Sequence, residues 1–264
     1  MMTIDWGTGV LVFIFGLMFG SFLNVCVYRL PRSLSIVSPG SFCPHCRKEI
    51  AWFDNIPLLS YLVLRGRCRH CRKKITPRYF LVELLTGLLL LLLYLRFGIS
   101  AAFFAFSLFV LGLILVSFID LEHYLIPDLV VYPGMALGLI FNFFFPEMAF
   151  SEDRLFALRE SFIGLLAGGG FLYLIAWLGS LMLKKDAMGG GDIKLLGMVG
   201  AFLGWKPILL TIFFGSIIGS VVSITLIALG VKKRTDYIPF GPYLSLGAVI
   251  ALFYKGGTFL GYDI

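Results

Sequence analysis

Residues 100–120 read SAAFFAFSLFVLGLILVSFID, an unbroken apolar run that stops at an aspartate. Crossing about 30 Å of hydrocarbon as a helix takes roughly 20 apolar residues, and only helices and closed barrels satisfy every backbone group in lipid. Over the whole chain of 264 residues, 59% are hydrophobic types and 14% are charged, a composition far from that of soluble domains. Barrel strands would show short alternating segments, and none is apparent. The run therefore reads as one membrane-spanning helix among several.

Continuous apolar runs give eight candidate spans, at about 7–28, 79–97, 100–118, 125–145, 161–183, 193–204, 207–230 and 238–254. The expected fold is an all-α polytopic membrane protein of about eight transmembrane helices. The first span has no basic residue before it and no small-residue cleavage pattern, so it is expected to be a retained helix rather than a signal peptide. The sixth is short and opens at MGGGDIK, residues 188–194, so its glycines and its first helical turn are expected to share one depth.

Lysine and arginine set the orientation, because loops on the cytoplasmic side carry the excess. With the amino terminus outside, inside segments hold 17 basic residues and outside segments only Arg96, Arg154, Arg159, Lys206 and Lys255. Eleven of the 17 lie in residues 29–78, against Glu49 and Asp54 alone, so this loop carries +9 and the rest of the chain −2. The overall charge of +7 is thus one juxtamembrane loop. It reads as a topology determinant and a contact for anionic lipid. No recognition motif accompanies it, and no nucleic-acid partner is expected.

The same loop holds CPHC (Cys43, Cys46) and CRHC (Cys68, Cys71), with 21 residues between the pairs. Two such pairs can close a tetrahedron of thiolates around Zn²⁺, and a reducing cytosol disfavours disulfides. A redox pair and unliganded thiols are the competing readings. A loop of about 50 residues has too little core to hold itself, so structural zinc would supply most of its folding free energy. His45 and His70 lie inside the pairs as alternative ligands or surface bystanders, and Cys26, within the first span, reads as a small buried apolar residue.

Two acids stand apart from the loops. Asp120 closes the third span in SFIDLEHYLIPD, and Asp192 opens the sixth in GGGDIK, and the topology puts both at the cytoplasmic surface. Asp192 has two readings: an N-cap for the sixth helix, with Gly189, Gly190 and Gly191 as the preceding turn, or a catalytic acid. Asp120 sits at a helix C-terminus, where the dipole disfavours negative charge. Two carboxylates brought close share a proton, and such a pair activates water, as in aspartic proteases. Glycines beside it let an extended peptide backbone approach.

GSFLNVCVYRLP at 20–31, the paired CxxC loop, TPRYFLVELLTG at 76–87, DLEHYLIPD at 120–128, GGGDIKLLG at 189–197 and FGPYLSLGA at 240–248 occur together and in order. The chain resembles the bacterial type IV prepilin leader peptidase / N-methyltransferase family, whose G-x-G-D signature is shared with intramembrane aspartyl proteases. The resemblance implies a bacterial inner-membrane enzyme that cleaves type IV prepilins and pseudopilins after glycine, at the boundary between a basic leader and an apolar helix. It also implies that the new amino terminus is methylated from S-adenosylmethionine. By motif position, Asp120 and Asp192 are the catalytic pair, Gly189, Gly191 and Lys194 support it, and Cys43, Cys46, Cys68 and Cys71 bind zinc. The implied organisation is a first helix at 1–28, a zinc-binding loop at 29–78 and a peptidase core at 79–264.

Other residues have plainer readings. Asp128 follows a proline and reads as a cap of the fourth helix, Glu122 and His123 as residues of one interfacial turn, and Glu83 as an acid suited to a helix N-terminal turn. Lys194 has Asp192 or a lipid phosphate as candidate partner. GLLAGGG at 164–170 contains G-x-x-x-G, a helix-packing face. No strand with a dinucleotide-type glycine loop appears, so a methyl donor would bind among the helices or under the zinc loop, at residues the sequence does not name. A peptidase without methyl transfer, and a transporter using the acids as a proton relay, are the alternatives.

Overall fold

The computed structural model describes residues 5–149, 151–183, 189–233, 236–254, 258–259 and 262–263. Lys184, Lys185, Arg234 and Lys255, counted above for topology, lie outside the described residues. Among the described residues the regular structure is helical apart from a pair of two-residue strands, Thr258–Phe259 and Tyr262–Asp263, and the chain divides into two compact units, residues 1–103 and 104–264.

In the first unit, helix α1 (Trp6–Arg29) packs on α3 (Arg78–Phe97), with the cysteine-bearing loop and short α2 (Leu59–Val63) between them in sequence. Asp5 starts α1 by accepting from the amides of Gly7 and Thr8. Small residues let the two long helices touch: a Cβ at Gly16 would lie 2.7 Å from Gly87 Cα, and one at Gly20 would lie 2.6 Å from Glu83 Cα. Glu83 does not sit in the N-terminal turn. It is the sixth residue of α3, 8% exposed, and its Oε2 accepts from the Leu58 amide at 2.8 Å. A carboxylate within an apolar helix needs such a donor, and the loop supplies it.

The second unit comprises α4 (Ala101–His123, which begins just before it), α5 (Asp128–Phe144), α6 (Arg154–Leu183), α7 (Gly190–Leu203), α8 (Lys206–Ala228) and α9 (Gly241–Tyr254). Helix α7 is its centre: every residue from Leu195 to Leu203 is buried, with α5, α6, α8 and α9 packed around it. Gly164 and Gly168 of α6 lie against the α7 backbone, where a Cβ on either would overlap the carbonyls of Gly200 and Leu196. The G-x-x-x-G stripe is thus a packing face. Asn142 of α5 donates to Ala201 O at 3.1 Å, Ser161 of α6 donates to the same carbonyl, and Phe109 of α4 lies 4.7 Å from the Phe202 ring.

Among the described residues, five helices are long and apolar enough to cross a membrane, beginning at Trp6, Arg78, Ala101, Arg154 and Lys206, and α5 and α9 are shorter apolar helices. Two of the longer spans extend well beyond their sequence limits. The fifth begins at Arg154 rather than 161, and the third runs past 118 to His123, so Asp120 lies within the last turn of α4. Glu122 and His123 complete that turn. Polar residues at helix ends continue a helix that hydropathy alone truncates.

Candidate active site and metal centre

Asp120 and Asp192 both belong to the second unit, on α4 and α7, and each is only 4% exposed. Asp120 Oδ2 accepts from the Gly241 amide at 3.1 Å, the first residue of α9. The carboxylate lies at the unfavourable end of its own helix dipole but at the favourable end of another's. That approach requires glycine, since a Cβ at 241 would stand 2.7 Å from Asp120 Oδ2.

Asp192 is not the cap of its helix. Gly189 holds the N-cap position without a side-chain bond, and Asp192 is the third helical residue, its amide bonded to the Gly189 carbonyl. Among the described residues its carboxylate takes no hydrogen bond, although it is buried. Asp120 is a charge that acts on it. Ile126, in the turn between α4 and α5, links the two sides: a Cβ at Gly191 would lie 2.8 Å from Ile126 Cβ, and one at Gly241 would lie 3.3 Å from its Cδ1. The left-handed backbone of Tyr124 (φ 54°) makes that turn, its amide closing on the Asp120 carbonyl.

Tyr237 borders the pair. Burial and then the Asp192 and Asp120 carboxylates push its phenol above the ordinary range, so it stays a neutral donor, and its ring meets Tyr124 edge-on at 5.4 Å. Lys194 pairs with Asp128 rather than with Asp192: its Nζ lies 2.7 Å from Asp128 Oδ1 and over the Tyr132 ring. Asp128 accordingly does not cap α5, whose N-cap is Pro127, but ties α5 to α7 through that pair. Gly189 and Gly191 flank the carboxylate, Gly189 outside the helix and Gly191 in its first turn. Ile126, Tyr237 and Gly241 are the contributors that the sequence reading passes over. Two of them stand within the motifs DLEHYLIPD and FGPYLSLGA, where linear order gives no sign that they meet.

In the first unit the four cysteines converge, with their Sγ atoms all within 4.8 Å of one another. Each pair forms the same tight turn. Cys43 and Cys68 receive amides from Arg47 and Arg72, whose backbones are left-handed (φ 57° and 58°), and donate their own to Lys48 and Lys73. Four thiols at this spacing fit the donor set and size of a tetrahedral metal site, in which Zn–S is about 2.3 Å. His45 and His70 are exposed and stand outside the cluster, while Cys26 is buried in α1. Between residues 30 and 77 only Cys43, Gly66 and Cys68 are buried, so the loop has no apolar core of its own. Arg29 staples it from α1, donating to the carbonyls of Ser35, Pro39 and Gly40 at 2.7–3.0 Å.

Comparison with known proteins matches residues 14–97 to the bacterial peptidase A24 N-terminal domain and residues 107–224 to the type IV leader peptidase family. A prepilin leader peptidase/N-methyltransferase of Stutzerimonas stutzeri is 38% identical over 262 residues, covering 90% of this chain and 88% of that protein. Its namesake in Pseudomonas aeruginosa is 39% identical over 261 residues, covering 90% and 87%, and that of Aeromonas hydrophila is 38% identical over 266, covering 92% and 89%. No solved structure matches the chain. The two family models fall one in each compact unit, and the relatives run through both, so the chain belongs to the type IV leader peptidase family.

Proposed function

We propose that Asp120 and Asp192 are the catalytic pair of a peptidase that removes the basic leader of type IV prepilins and pseudopilins after glycine, and that the same protein N-methylates the new terminus. The observation that carries the peptidase reading is a pair of buried aspartates on separate helices, linked through Ile126 and with the charge of Asp120 acting on Asp192, one held by the first amide of α9 and the other without a hydrogen bond among the described residues. An ionised carboxylate takes a proton from water, whose oxygen attacks the scissile carbonyl carbon while the protonated partner donates to the carbonyl oxygen. Collapse of the tetrahedral intermediate breaks the C–N bond, and the leaving nitrogen takes a proton from the pair. Tyr237 and Gly189 stand beside the Asp192 carboxylate, where an extended chain would pass, and Gly191 lets Ile126 pack close behind it.

The four cysteines are read as zinc ligands, the metal serving structure rather than the cleavage step. The family resemblance alone carries S-adenosylmethionine as methyl donor, and no side chain is assigned to it. The basic-residue asymmetry supports a bacterial inner-membrane protein with its amino terminus outside and the zinc loop and both aspartates on the cytoplasmic side, in contact with anionic lipid.

Intact-mass spectrometry of a prepilin incubated with the protein and S-adenosylmethionine tests the assignment: leader loss together with one added methyl group is expected. Leader loss without the methyl group leaves a peptidase alone, and an unchanged prepilin overturns the reading. Gly241→Ala is expected to push Asp120 out of place and to reduce cleavage by about 10²-fold, the scale of an ångström-sized misplacement. A steady-state rate equal to the native enzyme's would show that the Gly241 contact is dispensable.

A further inference from the structure

We propose that the outer face of the segment Trp52–Val63 lies in lipid, at the boundary of headgroups and acyl chains, and anchors the metal-binding loop to the membrane leaflet beside it.

The depth of this segment is set by α3. That helix has 20 residues from Arg78 to Phe97, and at 1.5 Å per residue its length is about that of the hydrocarbon layer, so no turn is spare. Glu83 lies about 7.5 Å along the axis from Arg78. It is bonded by the amide of Leu58, the N-cap position of α2. The Tyr61 ring packs 5.6 Å from that of Phe80, and the Tyr61 hydroxyl donates to the Ile75 carbonyl. The inner face of α2 is therefore fixed beside the first two turns of a spanning helix.

The opposite face carries Leu59, Leu62 and Val63, a stripe at i, i+3 and i+4, with exposures of 60%, 59% and 76%. Trp52 adds to it at 81%, with Phe53 and Ile56. This surface is held rigidly: Ser60 Oγ donates to the Phe53 carbonyl and accepts from the Ile56 amide, each at 3.0 Å. Arg69 clamps Asp54 through two bonds of 2.6 Å and lies over the Phe53 ring, holding the Asp54 carboxyl below the ordinary carboxylate range.

An exposed apolar ridge of this kind in water would be an aggregation site, and at this depth it meets acyl chains instead. Exposed basic residues flank the segment in sequence at Arg47, Lys48, Arg65 and Arg67, and phosphate headgroups would complete an interfacial arrangement of aromatic and cationic side chains. The same positive charge disfavours a second occupant, the basic and apolar end of a prepilin.

Full-length protein with Trp52 as its sole tryptophan (Trp6→Phe, Trp177→Phe, Trp205→Phe), placed in vesicles of phosphatidylcholine and phosphatidylglycerol, reports the depth directly. Lipids brominated near the top of the acyl chain are expected to quench Trp52 emission, from a blue-shifted maximum. Equal emission in brominated and plain vesicles would overturn the proposal, as would a blue shift that appears only when prepilin is added, which would assign the ridge to the substrate. The native protein gives an independent check with photoactivatable phosphatidylglycerol. Adducts on residues 52–63 are expected, and adducts confined to α1 and α3 would overturn the proposal.

Discussion

Asp192→Asn leaves a folded protein whose leader cleavage falls by about 10⁴-fold or more, the scale seen when a member of a catalytic unit is removed. An amide matches the carboxyl in size but cannot take the proton that water must lose. Folding is spared, because the native Asp192 carboxylate holds no hydrogen bond to lose among the described residues and an uncharged group sits more readily at 4% exposure. Asp120→Asn gives the same loss, and its side-chain oxygen still accepts from the Gly241 amide. Thermal unfolding of both variants checks the folding claim, and cleavage kinetics check the catalytic one. The pair needs one proton, so the native rate is bell-shaped in pH: acid protonates the second carboxyl and removes the base, while alkali ionises both and removes the acid.

Removal of the metal acts on the other unit. Structural zinc contributes about 10–16 kcal/mol of apparent binding free energy in small zinc peptides, and this loop buries only Cys43, Gly66 and Cys68 between residues 30 and 77. Chelation, or Cys43→Ser, is therefore expected to abolish amide-exchange protection at Cys43, Arg47, Cys68 and Arg72, whose turns depend on the cluster. Helices α4–α9 should keep theirs. Leader cleavage should fall less than loop protection does. Unchanged exchange in the loop after complete metal removal would show that the thiols alone hold it.

The apolar helices were legible in the sequence because lipid leaves the backbone few alternatives, and their limits departed from hydropathy where polar residues such as Arg154 and Asp120 continue a helix and where a proline-bearing turn delays one, as at Asp128. The four cysteines were legible for a similar reason, since their spacing is local and their chemistry uniform. Asp192 was ambiguous as a string of letters. A cap and a catalytic acid both follow a glycine turn, and only the position of Gly189 as N-cap removes the first reading. Lys194 and Asp128 were given separate roles, although they bond to each other across 66 positions of sequence. Gly241 and Ile126 were hidden more deeply, because their contribution is a distance of approach between segments remote in the chain.

Cleavage rates of the native enzyme, Asp120→Asn, Asp192→Asn and the double variant on one prepilin test the central claim most directly, because two carboxylates that act as one unit are grossly non-additive. The account predicts that all three variants fall to the same floor, the double variant losing no more than either single one. Substantial cleavage by one single variant, or a double variant losing the product of the two single losses, would contradict a shared catalytic pair.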